Sequence, residues 1–245
     1  MMESRPRAST PLIAAPRGCG QNRRLLIHAV IFDIGETLVD ETRAWGEWAD
    51  WLGVPRLTFF AALGSVIERG LHHRRVFQEL RPGIDLDRER EKRLHSGAPP
   101  ERIVDADLYG DARPCLGALR ASGRWLALAG NQPESAERDL RALDLPVDLV
   151  LSSARVGVEK PSREFFALLV TAAQRPAREI VYVGDRLDND VLPAIAAGMR
   201  GIFLRRGPWG MAHARRADVV RADARIESLG ELPALLESLD AAAST

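Results

Sequence analysis

An apolar run, Ala29 to Phe32, drives into a single carboxylate, Asp33, within "HAVIFDIGETLVDETR". Two residues on, where a second acid would be expected, stands Gly35. Further along, Lys160 heads a helical pattern in "VEKPSREFF", and Asp185, Asp188 and Asp190 crowd into "VYVGDRLDND". Carboxylates gathered with a lysine are what an oxygen-ligated Mg²⁺ and a phosphoryl group require. Mg²⁺ takes one or two carboxylates plus substrate phosphate oxygens, and an ammonium neutralises the charge that develops on the phosphoryl group. Lysine usage points to the same residue. Only two lysines occur, Lys92 and Lys160, against a basic total of 34. Arginine serves almost everywhere else, so Lys160 marks a place that needs a compact ammonium with three rotatable donors rather than a planar fork.

To share a site, these side chains must emerge at one edge of the fold. Five short apolar runs, 26–33, 124–130, 147–153, 179–185 and 200–206, have the near-continuous hydrophobicity of strands covered on both faces. Helical patterns lie between the later ones: "ESAERDLRAL", "SREFFALLVTAAQ" and "DNDVLPAIAAGM". This alternation predicts an α/β fold, a doubly wound parallel sheet of right-handed βαβ units. Such sheets bind ligands outside the carboxyl ends of their strands. Asp33, Gly130 with Asn131, and Asp185 each close a run and so fall there. The stretch "GIFLRRGPWG" reads as a strand followed by a loop, which leaves Trp209 without a role, and residues 217–239 predict a short strand and a closing helix.

The interval 41–110 breaks the alternation. "TRAWGEWADWLG" and "RLTFFAALGSVIERGLHHRRVFQEL" are helical, and a polar, proline-containing piece follows around "LHSGAPPERIVDADLYG". The expectation is a mostly helical cap at 41–110, inserted directly after the first strand over the sheet's carboxyl edge, with 25–40 and 111–240 as core. Trp45, Trp48 and Trp51, at three-residue spacing, read as packing inside that cap, the alternative being an aromatic wall over the substrate mouth. The basic run Arg69–Arg75 reads as a solvated face before an anion site, and His72 and His73 lack acid or cysteine partners at metal-binding spacing. Arg186 is either a phosphate neighbour or a surface residue. Asp188 and Asn189 read as caps of the helix that follows.

Lys+Arg and Asp+Glu both total 34 in 245 residues, so no global basic field recommends nucleic acid or an anionic membrane as partner. The apolar run Leu25–Ile34 is far shorter than a bilayer span. Two cysteines, Cys19 and Cys115, stand in no ligand-like spacing, which argues against a disulfide framework or zinc site and fits a cytoplasmic setting. Residues 1–24 carry five arginines and no periodicity and are expected to be disordered, as a start-site extension rather than a transit peptide.

"FDIGETL", "LAGNQ", "VEKPSREFF" and "VGDRLDNDVLPAIAAGM" resemble, in order and spacing, the four motifs of the haloacid dehalogenase-like hydrolases. The resemblance covers about residues 26–40 and 112–206. It implies a Rossmann-like core, Mg²⁺ as cofactor and a small phosphorylated substrate. Asp33 would be a nucleophile forming an aspartyl-phosphate, Thr37 would orient its loop, and Lys160 would steady the nucleophile and the transferring group. Asp185 would hold Mg²⁺ with Asp33 and the backbone carbonyl of Gly35, while Asp190 would support the metal from behind its ligands or orient Lys160.

Two positions depart from that pattern. Phosphatases of the family usually carry a second Asp where Gly35 stands, as acid to the leaving group and base to water; the dehalogenases typically place an aromatic residue there. The usual Ser or Thr of the second motif is replaced by Gly130, leaving Asn131 and backbone amides to grip phosphate. A positioned general acid or base is worth about 10²- to 10⁴-fold, and electrostatic stabilisation of the phosphoryl group is usually the larger share. The expectation is therefore a Mg²⁺-dependent phosphatase slowed or narrowed by the missing acid. Glu36 is adjacent and could substitute, although the next residue along a loop normally points elsewhere. A non-catalytic phosphate-binding or regulatory protein is the alternative that Gly35 and Gly130 favour. A dehalogenase-type hydrolase attacking carbon needs no Mg²⁺, and the acids of "GDRLDND" argue against it.

Overall fold

A computed structural model describes residues 26–242; the expected disorder at 1–24 falls outside the described residues, as does Cys19. The first strand, β1 (Ala29–Phe32), is buried at every position. Its side chains alternate, Val30 and Phe32 to one face and Ala29 and Ile31 to the other, each joining a separate core. The insertion follows as α1 (Thr42–Trp51), α2 (Arg56–Glu68), α3 (Arg75–Leu80) and α4 (Leu86–His95). The chain returns through α5 (Ala112–Ala121) to β2 (Trp125–Gly130), α6 (Glu134–Ala142), β3 (Leu149–Ser152), a single turn α7 (Ser153–Val156) and α8 (Arg163–Ala173). It then runs through β4 (Ile180–Gly184), a π-helical turn (Leu187–Val191), α9 (Leu192–Ala196), β5 (Arg200–Leu204), α10 (Gly207–His213), β6 (Ala224–Ile226) and α11 (Leu232–Ala242).

The six strands form one parallel sheet in the order β3-β2-β1-β4-β5-β6. Strands are added in one direction from β1 to β3, and the chain then crosses back to lay β4 on the other side of β1. The order thus reverses beside β1, which is where a doubly wound sheet opens a crevice at its carboxyl edge. Phe32 lies level with Leu128 of β2 and Val183 of β4, and the Asp33 N–H donates to the Val183 carbonyl at 2.9 Å. Asp33 and the residues that follow β4 therefore leave the sheet side by side.

Both faces are covered. On one, Val30 and Phe32 pack with Leu116 and Leu119 of α5 and Leu232 and Leu236 of α11; on the other, Ile31 and Tyr182 pack with Phe165, Phe166 and Leu169 of α8. The insertion has its own cluster of Trp48, Phe59, Leu63, Val66 and Phe77. Trp48 is a core residue there, edge-on to Phe77 at 5.0 Å, while Trp45 and Trp51 are only partly buried. Residues 207–210, expected as loop, open helix α10. Pro208 sits in the first turn of α10, where a missing N–H leaves no gap in the hydrogen bonding, and Trp209 buries itself in the insertion's cluster. None of the described helices is long and apolar enough to cross a membrane.

Candidate active site

Asp33 is followed by a tight reversal. The N–H groups of Leu38 and Val39 both donate to the Ile34 carbonyl at 2.9 Å, the Glu36 N–H donates to the Val39 carbonyl at 2.7 Å, and Glu36 itself adopts a positive φ of 54°. The chain doubles back so that residue 41 lies against residue 35. Thr37 is fully buried in this turn, and its carbonyl accepts from Arg206 Nη1 at 3.0 Å. Its hydroxyl makes no hydrogen bond among the described residues, so the main chain, not Oγ1, holds the loop's shape.

Lys160 reaches the same point from the turn that precedes α8. Its ammonium donates to Asp33 Oδ1 and to Asp190 Oδ1, each at 2.6 Å, with its side chain 1% exposed. Asn131, at the end of β2, fixes the lysine's backbone from both sides: its Oδ1 accepts the Lys160 N–H at 2.7 Å and its Nδ2 donates to the Lys160 carbonyl at 2.8 Å. The amide expected to grip phosphate is thus committed to positioning the lysine. Gly130 has a steric reason: a Cβ there would stand 2.9 Å from Asp33 Oδ1.

Asp185 and Asp190 come from the end of β4 and the π-helical turn after it. A π turn is a common device at functional sites; here it folds Asp190 back so that Oδ2 accepts the Arg186 N–H at 3.0 Å while Oδ1 meets Lys160. Asp188 and Asn189 do not cap the helix that follows, α9, whose N-cap is Val191 with no side-chain cap hydrogen bond. Asp188 accepts from the Arg186 guanidinium at 3.2 and 3.1 Å, and that guanidinium lies 3.9 Å from the centre of the Trp209 ring. Arg186 lines the site with a locked side chain.

Electrostatics set what this cluster can hold. Ligand atoms of Asp33, Asp185 and Asp190 lie within 4.8 Å of one another, with Lys160 against two of the three. Burial, then the charges of Asp190 and Asp33, push the Asp185 carboxyl well above the usual carboxylate range. Burial and Asp33 raise Asp190 to about 6 against the pull of Lys160. Burial alone would lower the Lys160 ammonium, but Asp190 and Asp33 hold it above its ordinary value. Asp185 Oδ2 is buried with no hydrogen-bond partner among the described residues. An orphaned carboxylate oxygen in an all-oxygen cluster short of positive charge fits a hard divalent cation such as Mg²⁺.

A cavity of about 480 Å³ opens here, lined by Asp33, Lys160, Asp185, Arg186, His73 and Arg74 among others. A second, of about 650 Å³, adjoins it beneath the insertion and shares Glu41, Trp45, His73 and Arg74 as its wall. The basic run therefore borders the site after all, with burial holding the His73 imidazole down at about 3 and hence uncharged. Glu36, which also lines this cavity, is held at both oxygens: Oε2 accepts from the Tyr109 hydroxyl at 2.7 Å and Oε1 from the Glu41 N–H at 3.1 Å. Glu41 is the residue that sequence reasoning passed over. Burial and the neighbouring Glu36 raise its carboxyl to about 7.

Residues 27–198 match the sequence model of the haloacid dehalogenase-like hydrolases. The chain belongs to this family. Among relatives of this hydrolase, the glyceraldehyde 3-phosphate phosphatase of Methanopyrus kandleri is 29% identical over 221 residues, 80% of this chain and 91% of the relative. The ribulose-1,5-bisphosphate 5-phosphatase of Halopiger xanaduensis is 34% identical over 140 residues, 55% of this chain and 59% of the relative. In solved structures, the HAD phosphatase of Thermococcus onnurineus superposes with a TM-score of 0.55 at 23% identity, covering 86% of this chain and 98% of that one. The L-2-haloacid dehalogenase of Xanthobacter autotrophicus gives 0.59 at 20% identity with the same coverage. The structural likenesses, shared by a phosphatase and a dehalogenase, carry the fold; the sequence relatives are phosphatases.

Proposed function

We propose that this HAD hydrolase is a Mg²⁺-dependent phosphatase that acts on a small phosphorylated metabolite through an aspartyl-phosphate on Asp33. The single observation that carries the proposal is the Lys160 ammonium, 2.6 Å from both Asp33 and Asp190, beside the unpartnered Oδ2 of Asp185. Lys160 occupies Asp33 Oδ1, which leaves Oδ2, with no hydrogen bond among the described residues, as the oxygen that attacks phosphorus. The phosphorus–leaving-group bond breaks as the Asp33–phosphorus bond forms, and water then cleaves the acyl phosphate, releasing inorganic phosphate and regenerating the carboxylate. Asp33, Asp185 and the Gly35 carbonyl would hold Mg²⁺, whose chemistry is to neutralise the phosphoryl oxygens and align them for in-line attack. Lys160 offsets the remaining charge, Asp190 and Asn131 keep it aimed, and helices α1–α4 act as a cap that excludes water and selects the leaving group. The phosphatase names of the relatives support phosphorus over carbon as the centre attacked.

A panel of phosphomonoesters assayed with and without Mg²⁺, on the wild type and on Asp33→Asn, tests this. Phosphate release should require both the metal and Asp33, with the variant at background. Halide release from a 2-haloacid without metal would assign carbon chemistry instead, and phosphate binding without turnover would make the protein a binding module.

A further inference from the structure

Position 35 lacks a side chain, but the space that side chain would enter is not empty. A Cβ built on Gly35 would stand 2.5 Å from Glu41 Oε1 and 3.0 Å from Glu41 Cδ. A carboxyl group is therefore already present at the root of residue 35's side-chain space, delivered from six residues further along by the reversal at Ile34–Val39. Glu41 precedes the first turn of α1, and two neighbours hold it: its N–H donates to Glu36 Oε1 at 3.1 Å, and its Oε2 accepts from Trp45 Nε1 at 3.1 Å. Oε1 has no hydrogen bond among the described residues. The residue lines the cavity that contains Asp33 and Lys160 and also the adjoining one beneath the insertion, so its carboxyl is part of the wall the two share.

We infer that Glu41 is the general acid and base of this hydrolase, supplied from the start of α1 in place of a residue at position 35. The inference rests on the phosphatase reading above. As Asp33 Oδ2 bonds to phosphorus, the bond from phosphorus to the leaving oxygen breaks, and that oxygen takes the proton of the Glu41 carboxyl. The resulting carboxylate then accepts a proton from water as the water oxygen bonds to phosphorus and the Asp33–phosphorus bond breaks. An ester and water become an alcohol and inorganic phosphate, with Asp33 and the protonated Glu41 regenerated. Glu36, the nearer acid in sequence, has a donor on each of its oxygens, the Tyr109 hydroxyl and the Glu41 N–H, whereas Glu41 Oε1 has none among the described residues. Gly35 leaves the Glu41 carboxyl this position, since a side chain there would have to displace it.

The test is Glu41→Gln, whose amide oxygen can still accept from Trp45, assayed with Mg²⁺ on a series of aryl phosphates of rising phenol pKa and on an alkyl phosphate. Loss of the acid should reduce kcat/KM for the alkyl ester about 10²- to 10⁴-fold while sparing p-nitrophenyl phosphate, which steepens the dependence on leaving-group pKa. Loss of the base slows the common second step, so Glu41→Gln should show a stoichiometric burst of p-nitrophenol and accumulate phosphorylated Asp33. Gly35→Asp alone should be impaired by the collision. Combined with Glu41→Ala, it should regain alkyl phosphate turnover, because the acid has been moved to the position the collision had denied it. An unchanged leaving-group dependence with no burst in Glu41→Gln overturns the assignment and leaves the phosphatase reading intact. A wild type inert towards every phosphomonoester with Mg²⁺ overturns that reading and the role of Glu41 with it.

Discussion

Lys160 sits with both partners at 2.6 Å and its side chain 1% exposed, in a space shaped for one nitrogen. Lys160→Arg keeps the charge but places a larger planar group where Asp33, Asp190 and the Tyr182 ring leave no room, the ammonium already lying 5.5 Å from that ring's centre. We expect kcat to fall about 10²- to 10³-fold at saturating Mg²⁺, with overpacking removing about 1–3 kcal/mol of stability; kcat and the urea midpoint measured together check both. A variant with wild-type kcat would show that any cation suffices at this point. The four residues that meet here, Asp33, Lys160, Asp185 and Asp190, were legible in the sequence because each follows a strand or opens a helix, and the topology of a parallel sheet does the gathering. Asn131 was legible as a site residue but not in its task, because a side-chain amide that pairs with backbone has the same sequence signature as one that binds an anion. Glu41 was not legible at all. Its place depends on the reversal from Ile34 to Val39, which no hydrophobic periodicity encodes.

At the scale of elements, strands buried on both faces announce themselves as apolar runs, and β1 through β5 were read that way. Helix α4 did not, because what it buries is charged: Glu89 accepts from Trp51 Nε1 at 3.0 Å, and the Arg93 guanidinium lies 4.6 Å from the centre of the Trp48 ring. The same device joins α6 to the end of β3. Glu137, 3% exposed, accepts from the Ser152 N–H at 3.0 Å, the Ser152 hydroxyl at 2.8 Å, Arg141 at 2.8 Å and Arg155 at 2.6 Å. Burial alone would raise this carboxyl, but these donors outweigh it and hold it down at about 2. Because the folded value lies below the ordinary one, the stabilisation is complete above about pH 4.5 and is lost as pH falls through about 2. Glu137→Gln should cost about 1.5–3 kcal/mol at pH 7, and the gap to the wild type should shrink progressively below about pH 4.5. Urea midpoints at pH 7, 4 and 3 measure it; a gap independent of pH would mean that the charge of Glu137 contributes nothing.

For the whole molecule, the parallel sheet places its chemistry and its structural closure at opposite ends. The site occupies the carboxyl edge, while at the amino edge Asp240 of α11 binds the start of the described chain: Oδ1 accepts the Leu26 N–H at 2.7 Å and the Ile27 N–H at 3.0 Å, and Oδ2 accepts from Arg124 Nη2 at 2.6 Å. One carboxylate thus ties the entry to β1, the entry to β2 and the last helix together, with the Arg124 and Asp240 side chains 2% and 1% exposed. A closing helix was legible from its apolar spacing, but an aspartate on its buried face reads from sequence as an ordinary surface acid, since only the assembled sheet supplies its partners. Asp240→Ala removes that carboxylate from a buried guanidinium and two backbone donors, a change of the kind that costs about 3–5 kcal/mol. At about 2–4 °C per kcal/mol for a chain of this size, Tm should drop by about 6–20 °C. The carboxyl edge stays built by the strand register and by Lys160, so kcat at 25 °C and the rise in Tm on adding Mg²⁺ should both persist. Thermal melts with and without Mg²⁺, read beside kcat, separate the two ends. Loss of the Mg²⁺ response in Asp240→Ala would show that closure of the amino edge and assembly of the site are one cooperative event.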